Sequence, residues 1–233
     1  MPTFKISNLK TFLLVTAAST TIATLPALAA DEEAITLSAN AAIVSDYRFR
    51  GVSLSDKDPA IQGGFDVSTS SGFYVGTWGS SIENFEGSEF ELDIYAGYGT
   101  TFGELDFDIG LLAYTYPGSS DTTYLEAYTS IGGSAGVVGW TLGAAYAFDQ
   151  DNIGGDDNIY LYLDAGAPLG DTPLSVGGHI GYEDGAFGAD KWDWSLGLTY
   201  DFKQFSLGVN YVDTNVDGRT TKGGVVASLS ASF

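Results

Sequence analysis

The sequence predicts an all-β protein, a single antiparallel transmembrane β-barrel of about twelve strands. Apolar and polar residues alternate strictly along many segments, which is the pattern of strands with one apolar and one polar face. Each segment is about ten to thirteen residues long. Strands of soluble proteins are usually about 5–6 residues long, whereas a tilted membrane-spanning strand needs about 9–11. Glycine and aromatic residues are also abundant, and no cysteine is present to supply disulfides.

The first 29 residues have the pattern of a secretory signal peptide. Lys5 and Lys10 precede an apolar stretch that ends in the small-residue motif Ala27-Leu28-Ala29. A transmembrane anchor is the alternative, but threonine and serine interrupt the apolar stretch. We therefore expect cleavage after Ala29 and a barrel domain over residues 30–233.

The charge balance of the mature chain is strongly acidic. The full chain has 9 basic and 30 acidic residues. Removing Lys5 and Lys10 leaves 7 basic residues against the same 30 acids, a net charge of −23. Contacts to phosphate require lysine and arginine, so a nucleic-acid partner is disfavoured.

Twelve alternating segments are the predicted strands. In EFELDIYAGY (89–98), for example, Phe90, Leu92 and Ile94 share one face while Glu91 and Asp93 share the other. The twelve segments are 34–46, 58–70, 72–82, 89–101, 103–115, 122–133, 136–148, 157–167, 173–183, 191–202, 204–213 and 224–233.

The connections between these segments alternate in length. The odd-numbered ones, such as 83–88, 149–157 and 183–190, are mostly longer, acidic and rich in glycine, whereas the even-numbered ones are mostly short. Short periplasmic turns and longer outer loops are typical of outer-membrane barrels. An even strand number then places both termini on the periplasmic side.

The last segment, GVVASLSASF, ends on the aromatic residue Phe233. A terminal aromatic residue on an alternating strand resembles the signal by which the outer-membrane assembly machinery recognises its clients. We expect Phe233 to serve as this assembly signal.

A barrel in a bilayer would turn its apolar faces to lipid and its polar faces to the lumen, because hydrocarbon leaves no partner for an open sheet edge. A soluble sandwich or barrel, with the apolar faces packed inward, is the alternative. Carboxylates around a narrow wet bore attract cations and repel anions, although any polar lumen needs polar residues. The predicted pore-lining residues are Asp46, Arg48, Arg50, Asp66, Glu89, Glu91, Asp93, Glu104, Asp106, Asp108, Glu126, Asp164, Glu183 and Asp193.

Two arginines precede the second strand. Arg48 and Arg50 share parity with Asp46, so both guanidiniums point inward near the outer mouth if the strand continues through them. There they would pair with carboxylates and narrow the bore. In the alternative they lie in a loop and contact lipopolysaccharide phosphate or water.

The stretch SDYRFRGVSLSDKDPAIQGGFDV, followed by SSGFYVGTWGSSI, resembles the signature of the TorF-type porin family, long catalogued as a domain of unknown function. The resemblance extends from about residue 34 to the end of the chain and is best over 45–82. It implies a porin-like outer-membrane barrel and brings no established substrate.

Two other candidate sites are weaker. His179, the one histidine, lies on a polar face, but no G-x-S-x-G motif accompanies it, so we expect a pore-wall residue rather than a catalytic one. The acidic loop 149–157 carries oxygen ligands that suit Ca²⁺, but Tyr160 stands where an EF-hand has its glutamate, and a solvated loop is favoured. We expect no metal, no cofactor and no enzymatic activity.

The predicted function is a porin or ion channel of the Gram-negative outer membrane for passive diffusion of small solutes, with cations or neutral molecules preferred. Barrels of about eight strands are filled by side chains and those of 16–18 strands are open, so a twelve-stranded bore is expected to be narrow or partly plugged by loops. Its predicted partners are the lipid bilayer, lipopolysaccharide, the assembly machinery and small solutes. The alternative is a non-conducting structural or surface-binding barrel.

Overall fold

The computed structural model describes residues 34–119 and 123–233, and it shows a closed antiparallel barrel. The predicted signal peptide, 1–29, lies outside the described residues. The strands of the barrel are β1 (Ile35–Val44), β4 (Ala60–Thr69), β5 (Phe73–Phe85), β6 (Ser88–Phe102), β7 (Leu105–Thr115), β8 (Tyr124–Ala135), β9 (Val138–Ala147), β10 (Asn158–Pro168), β11 (Leu174–Gly185), β12 (Gly188–Phe202), β13 (Phe205–Thr214) and β14 (Gly224–Ser232).

Each barrel strand pairs with its two neighbours, and β1 closes the ring. One edge of β1 pairs with β4, with Ala41 opposite Gly63, and the other edge pairs with β14, with Ala41 opposite Ala231. The twelve-stranded antiparallel barrel predicted from the sequence is therefore confirmed. Both ends of the described chain lie at one rim, here called the terminal rim, and the opposite rim is called the loop rim.

The barrel is apolar outside and polar inside. Ile61, Leu196 and Val225 on the outer face are 69%, 63% and 66% exposed, whereas Glu91 and Glu183 inside are buried. A soluble protein that packed the same alternating faces against each other would show the reverse distribution. Within residues 34–119 and 123–233, no helix combines the length and apolar character needed to cross a bilayer.

Two connections at the loop rim are shorter than the sequence predicted. Longer loops were expected at 83–88 and 183–190, but β5 and β6 are joined by two residues, Glu86 and Gly87, and β11 and β12 by two others. Glu86 and Gly87 have φ of 51° and 93°, as a tight hairpin turn requires at both central positions. The strands consequently extend past the polar residues that had indicated loops.

The longest connection at this rim is 45–59, and it contains two short strands, β2 (Arg48–Phe49) and β3 (Val52–Ser53). These strands pair as a hairpin separate from the barrel sheet. The 148–157 connection contains one short 3₁₀ turn, Asp151–Ile153. The hairpin in connection 45–59 is therefore the one additional sheet among the described residues, 34–119 and 123–233.

Candidate functional site

The β2–β3 hairpin folds into the barrel mouth, with Arg50 and Gly51 at its tip. Arg50 pairs with interior side chains of β8 and β11, and the backbone φ angles of Arg50 and Gly51, 47° and 84°, are both positive. A two-residue turn with this geometry matches the twist of a hairpin. A Cβ atom added to Gly51 would lie 2.9 Å from Cβ of Asp193 on β12, so the tip lies directly against the barrel wall.

Arg50 connects the hairpin to two acids on β8 and β11, strands that are separated by β9 and β10 in the barrel. Its Nη2 donates to both carboxylate oxygens of Glu126, at 2.8 and 2.7 Å, and its Nη1 donates to Glu183 at 2.7 Å. All three side chains are at least 93% buried. Burial alone would lower the pKa of Arg50, but the charges of Glu126 and Glu183 outweigh this effect and raise it. The guanidinium is thus permanently charged in a nearly dry place.

Two aromatic rings contact the Arg50 guanidinium. Its central carbon lies 4.3 Å from the ring centroid of Tyr160 on β10 and 4.7 Å from that of Phe49. Phe49 in turn contacts Tyr114 edge-on, at 5.8 Å between centroids. Distances below about 6 Å allow cation–π attraction, so these rings fix the plane of the guanidinium.

The two acids have further donors. Asn158 Nδ2 donates to Glu183 at 3.1 Å, and Lys191 forms an ion pair with the other oxygen of Glu183. The Tyr114 hydroxyl donates to Glu126 at 3.1 Å. Sequence reasoning missed Lys191, although its parity with Asp193 already placed it on the lumen face of β12.

Arg48 has a different role from Arg50. Its Nε pairs with Asp46 at 2.6 Å, and its Nη1 donates to the carbonyl oxygens of Gly51 and Thr220 at 3.1 and 3.2 Å. The backbone N–H of Ser53 also donates to Thr220, at 2.8 Å. Arg48 therefore anchors the hairpin to the neighbouring loop 215–223, and neither arginine is left to solvent.

Tyrosine hydroxyls satisfy many of the interior carboxylates. Tyr47 donates to Glu91 at 2.7 Å, and burial followed by the charge of Glu91 raises the pKa of Tyr47, so it remains a donor. Other hydroxyls make the same kind of contact inside the barrel. They are those of Tyr74 to Asp108, Tyr95 to Asp66, Tyr116 to Glu91 and Tyr160 to Asp193.

Several tyrosine rings inside the barrel lie over a glycine of the adjacent strand. Tyr162 on β10 lies opposite Gly143 on β9, and a Cβ atom at Gly143 would overlap its ring. Tyr128 and Gly110 form the same cross-strand arrangement between β8 and β7. Glycine inside a strand weakens it, but here it lets an aromatic ring lie along the wall instead of across the lumen.

His179 lies inside the barrel in a chain of polar contacts. Its Nδ1 lies 2.7 Å from Asp164, and its Nε2 lies 3.1 Å from Asp193 and 2.7 Å from the Tyr160 hydroxyl. Both ring nitrogens are thus engaged by carboxylates and a phenol. This environment fits a polar wall residue.

The predicted pore-lining residues fall into three groups. Eight of them are buried: Asp46, Arg48, Asp66, Glu91, Asp93, Glu126, Glu183 and Asp193. Asp108 and Asp164 are partly buried, and so is Arg50 when its backbone is counted together with its buried side chain. Glu89, Glu104 and Asp106 are exposed near the rims, Glu104 in the turn after β6 and the other two at the second position of their strands. The pore-lining role stays a prediction for all of them.

Two other predictions concern Phe233 at the end of β14 and the binding of metal ions. The backbone of Phe233 exchanges two hydrogen bonds with Ala39 of β1, at 2.9 and 3.1 Å, and its side chain is exposed. Its role in assembly stays a prediction. Across 34–119 and 123–233, no group of three or more histidines or acids is placed to hold a metal ion.

Solved structures that superpose on this chain include porins. The KdgM porin superposes with a TM-score of 0.60 at 10% sequence identity, over 84% of this chain and 98% of that one. The KdgM porin in complex with disordered oligogalacturonate gives a TM-score of 0.58 at 9% identity, over 84% and 97% of the two chains. At such identities the likeness concerns the fold, and none of the curated proteins matches this chain in sequence.

A family model matches residues 29–232, which covers the whole described barrel. The model is that of Gcw_chp, bacterial proteins of unknown function. The resemblance to TorF-type porins stays a prediction. The chain thus belongs to the Gcw_chp family.

Proposed function

We propose that this chain is a porin-like channel of the outer membrane for passive diffusion of small solutes, and that its acidic lumen favours cations and neutral molecules. One observation carries the proposal: the closed barrel is apolar on its outer face and lined with carboxylates and tyrosines within. A closed barrel satisfies every backbone group of its sheet, which is the condition for crossing hydrocarbon.

The outer surface supports insertion into a bilayer. Apolar side chains are exposed on every barrel strand, which would be costly in water for so large a continuous area. Aromatic residues suited to the interfaces are also exposed on this surface, among them Trp192, Tyr200 and Tyr211. We propose that lipid and lipopolysaccharide surround this surface. We also propose that the outer-membrane assembly machinery recognises Phe233, and that the chain is a porin of the TorF type.

The interior charge supports a preference for cations. The inward-pointing carboxylates of the strands include Asp66, Glu91, Asp93, Asp108, Glu126, Asp164, Glu183 and Asp193. Together with Asp46 these make nine carboxylates against three cations with buried side chains, Arg48, Arg50 and Lys191, a formal balance of −6 before His179 is counted. Tyrosine hydroxyls donate hydrogen bonds to several of these carboxylates, and each such bond favours the anionic form. Such a lumen would repel a polyanion, so oligogalacturonate, the ligand named for the KdgM porin, is a poor candidate solute here.

The proposal is tested by planar-bilayer recording with the purified protein. We expect stepwise conductance, and under a KCl gradient a reversal potential with the sign of cation selectivity. The double variant Arg48→Ala, Arg50→Ala removes the hairpin anchor and the cation at its tip, so we expect its conductance or selectivity to change. Unchanged single-channel traces would place these arginines away from the conducting path, and anion selectivity of the wild type would contradict the role of the carboxylates.

A non-conducting structural or surface-binding barrel is the second candidate. The observation that favours it is the dense packing at the loop rim, where Arg48 and Ser53 of the hairpin and the acids Glu91, Glu126 and Glu183 are buried. A folded protein that leaves the bilayer silent would support this second function. Conductance that appears only after the hairpin contacts are removed would assign the hairpin as a plug.

A further inference from the structure

The barrel wall at the loop rim has the features of a binding site for a single organic cation. Glu126 from β8 and Glu183 from β11 face each other across the guanidinium of Arg50, and the Tyr160 ring from β10 covers one face. All three wall residues belong to barrel strands, whereas Arg50 comes from the hairpin. The wall therefore presents the recognition groups, and Arg50 occupies them as a tethered ligand would.

The chemistry of the wall selects a guanidinium. Its donors form a planar fork that matches carboxylates, and it stacks on aromatic rings better than an ammonium does. Glu126 accepts two hydrogen bonds from one nitrogen of Arg50 and Glu183 accepts one from the other. The Tyr160 ring centroid lies 4.3 Å from the guanidinium carbon, within the range of cation–π attraction.

The charge of the wall selects a monovalent cation. Without Arg50, Glu126 and Glu183 contribute two negative charges, and Lys191, which contacts Glu183, contributes one positive charge. The remaining formal charge is −1, and both carboxylates are almost fully buried. A buried carboxylate that loses its partner is strongly destabilising, so the wall should bind another single cation when Arg50 is absent.

We infer that Glu126, Glu183 and Tyr160 form a binding site for small guanidinium-bearing solutes, which Arg50 occupies from within the chain. This site deepens the proposed channel function by naming a class of solute. Binding at the site does not depend on conduction, whereas the passage of such a solute through the lumen rests on the proposed function. A solute entering the lumen would compete with a tethered side chain whose effective concentration is on the order of millimolar. The hairpin tip would then be released from the wall as the solute binds.

The test uses a variant that empties the site and keeps the turn. Arg50→Asn places Asn-Gly at the tip, which is the dipeptide that most favours positive φ at both positions of a two-residue hairpin. The asparagine side chain is too short to replace the guanidinium between Glu126 and Glu183. The matched control is Arg50→Asn combined with Glu126→Gln, which keeps the shape of the site and removes one recognition charge.

Thermal unfolding of the detergent-folded protein is measured in methylguanidinium chloride and in sodium chloride of equal ionic strength. We expect the midpoint of Arg50→Asn to rise saturably with methylguanidinium, by about 3–6 °C at ten times the dissociation constant. The wild type and the double variant should show no rise beyond that in sodium chloride. Equal responses of all three proteins, or no saturable rise in Arg50→Asn, would overturn the inference.

A second measurement applies if Arg50→Asn does not fold in plain buffer. Refolding yield is then compared with methylguanidinium, with sodium chloride and with urea, a neutral molecule of similar shape. Recovery with methylguanidinium alone supports the site, and no recovery overturns it. Neither measurement requires conduction, so a silent bilayer would refute the channel while leaving this result unaffected.

Discussion

Alanine at Gly143 is expected to force the ring of Tyr162 off the barrel wall. The two residues are direct cross-strand partners, and the space for a Cβ atom at Gly143 is already filled by the Tyr162 ring. Overpacking of this kind costs about 1–3 kcal/mol. Alanine in place of glycine in a strand also stabilises by about 0.5–1 kcal/mol, so the variant alone gives a mixed result.

A control on the same strand separates the two effects. Gly139 is also on β9, and a Cβ atom there would have nothing within 4 Å. Gly139→Ala therefore has the stabilising effect of alanine on the strand backbone but no overlap with a tyrosine ring. The free energies of unfolding of the two variants should differ by about 1–3 kcal/mol. Urea unfolding followed by tryptophan fluorescence measures it.

The Tyr162 ring is identified as the cause by a double-mutant cycle. Tyr162→Ala removes the ring, so Gly143→Ala should no longer destabilise the protein in that background, and the coupling energy should be about 1–3 kcal/mol. Single-channel conductance should fall in Gly143→Ala, because the displaced ring turns into the lumen. If Gly143→Ala is as stable as Gly139→Ala, and the cycle shows no coupling, the position of the Tyr162 ring against the wall does not require a glycine at 143.

Three further predictions concern the hairpin and the charged lumen. Glu126→Gln leaves Arg50 buried with one full carboxylate partner and should lower the free energy of unfolding by about 3–5 kcal/mol, whereas Asp56→Asn, which breaks an exposed pair with Arg219, should cost less than about 1 kcal/mol in the same urea titration. Gly51→Ala should destabilise by about 1–3 kcal/mol, because its φ of 84° and the nearby wall both oppose a Cβ atom, and thermal unfolding would show no loss if the tip were free. Cation selectivity should weaken between 0.1 and 1 M KCl, where the Debye length falls from about 10 to about 3 Å; a selectivity independent of salt would exclude long-range attraction by the carboxylates.

The barrel itself could be predicted from the sequence because alternation of period two is a local property. Each of the twelve predicted segments overlaps one barrel strand, and the outward positions of Phe107 and Leu196 follow directly from parity. The sequence predicts two loops longer than they are, because the polar residues at 83–88 and 183–190 resemble breaks between strands. In a strand that extends beyond the apolar belt, polar residues on both faces are compatible with the sheet.

The contacts between strands could not be predicted in the same way. The pairing of Tyr162 with Gly143 depends on the register of β9 and β10, and a shift by one residue would move every side chain to the other face. Likewise, parity correctly places acids such as Glu126 and Glu183 on the inner face, but it does not say which of them meet across the lumen. That information comes from closure of the barrel and from the position of a loop.

The β2–β3 hairpin could not be predicted from the sequence, because an arginine rarely occupies the first position of such a turn. Positive φ favours glycine and asparagine, and an arginine at φ of 47° is uncommon and carries a backbone cost of about 1 kcal/mol or more. Asparagine would suit the turn better, so the backbone alone does not explain arginine at this position. The ion pairs of Arg50 with Glu126 and Glu183 offset the cost, and they exist only because the turn aims the side chain at the wall. Arg50 is therefore explained by the contacts of its side chain and not by the preference of its backbone. This points to a function at the hairpin tip.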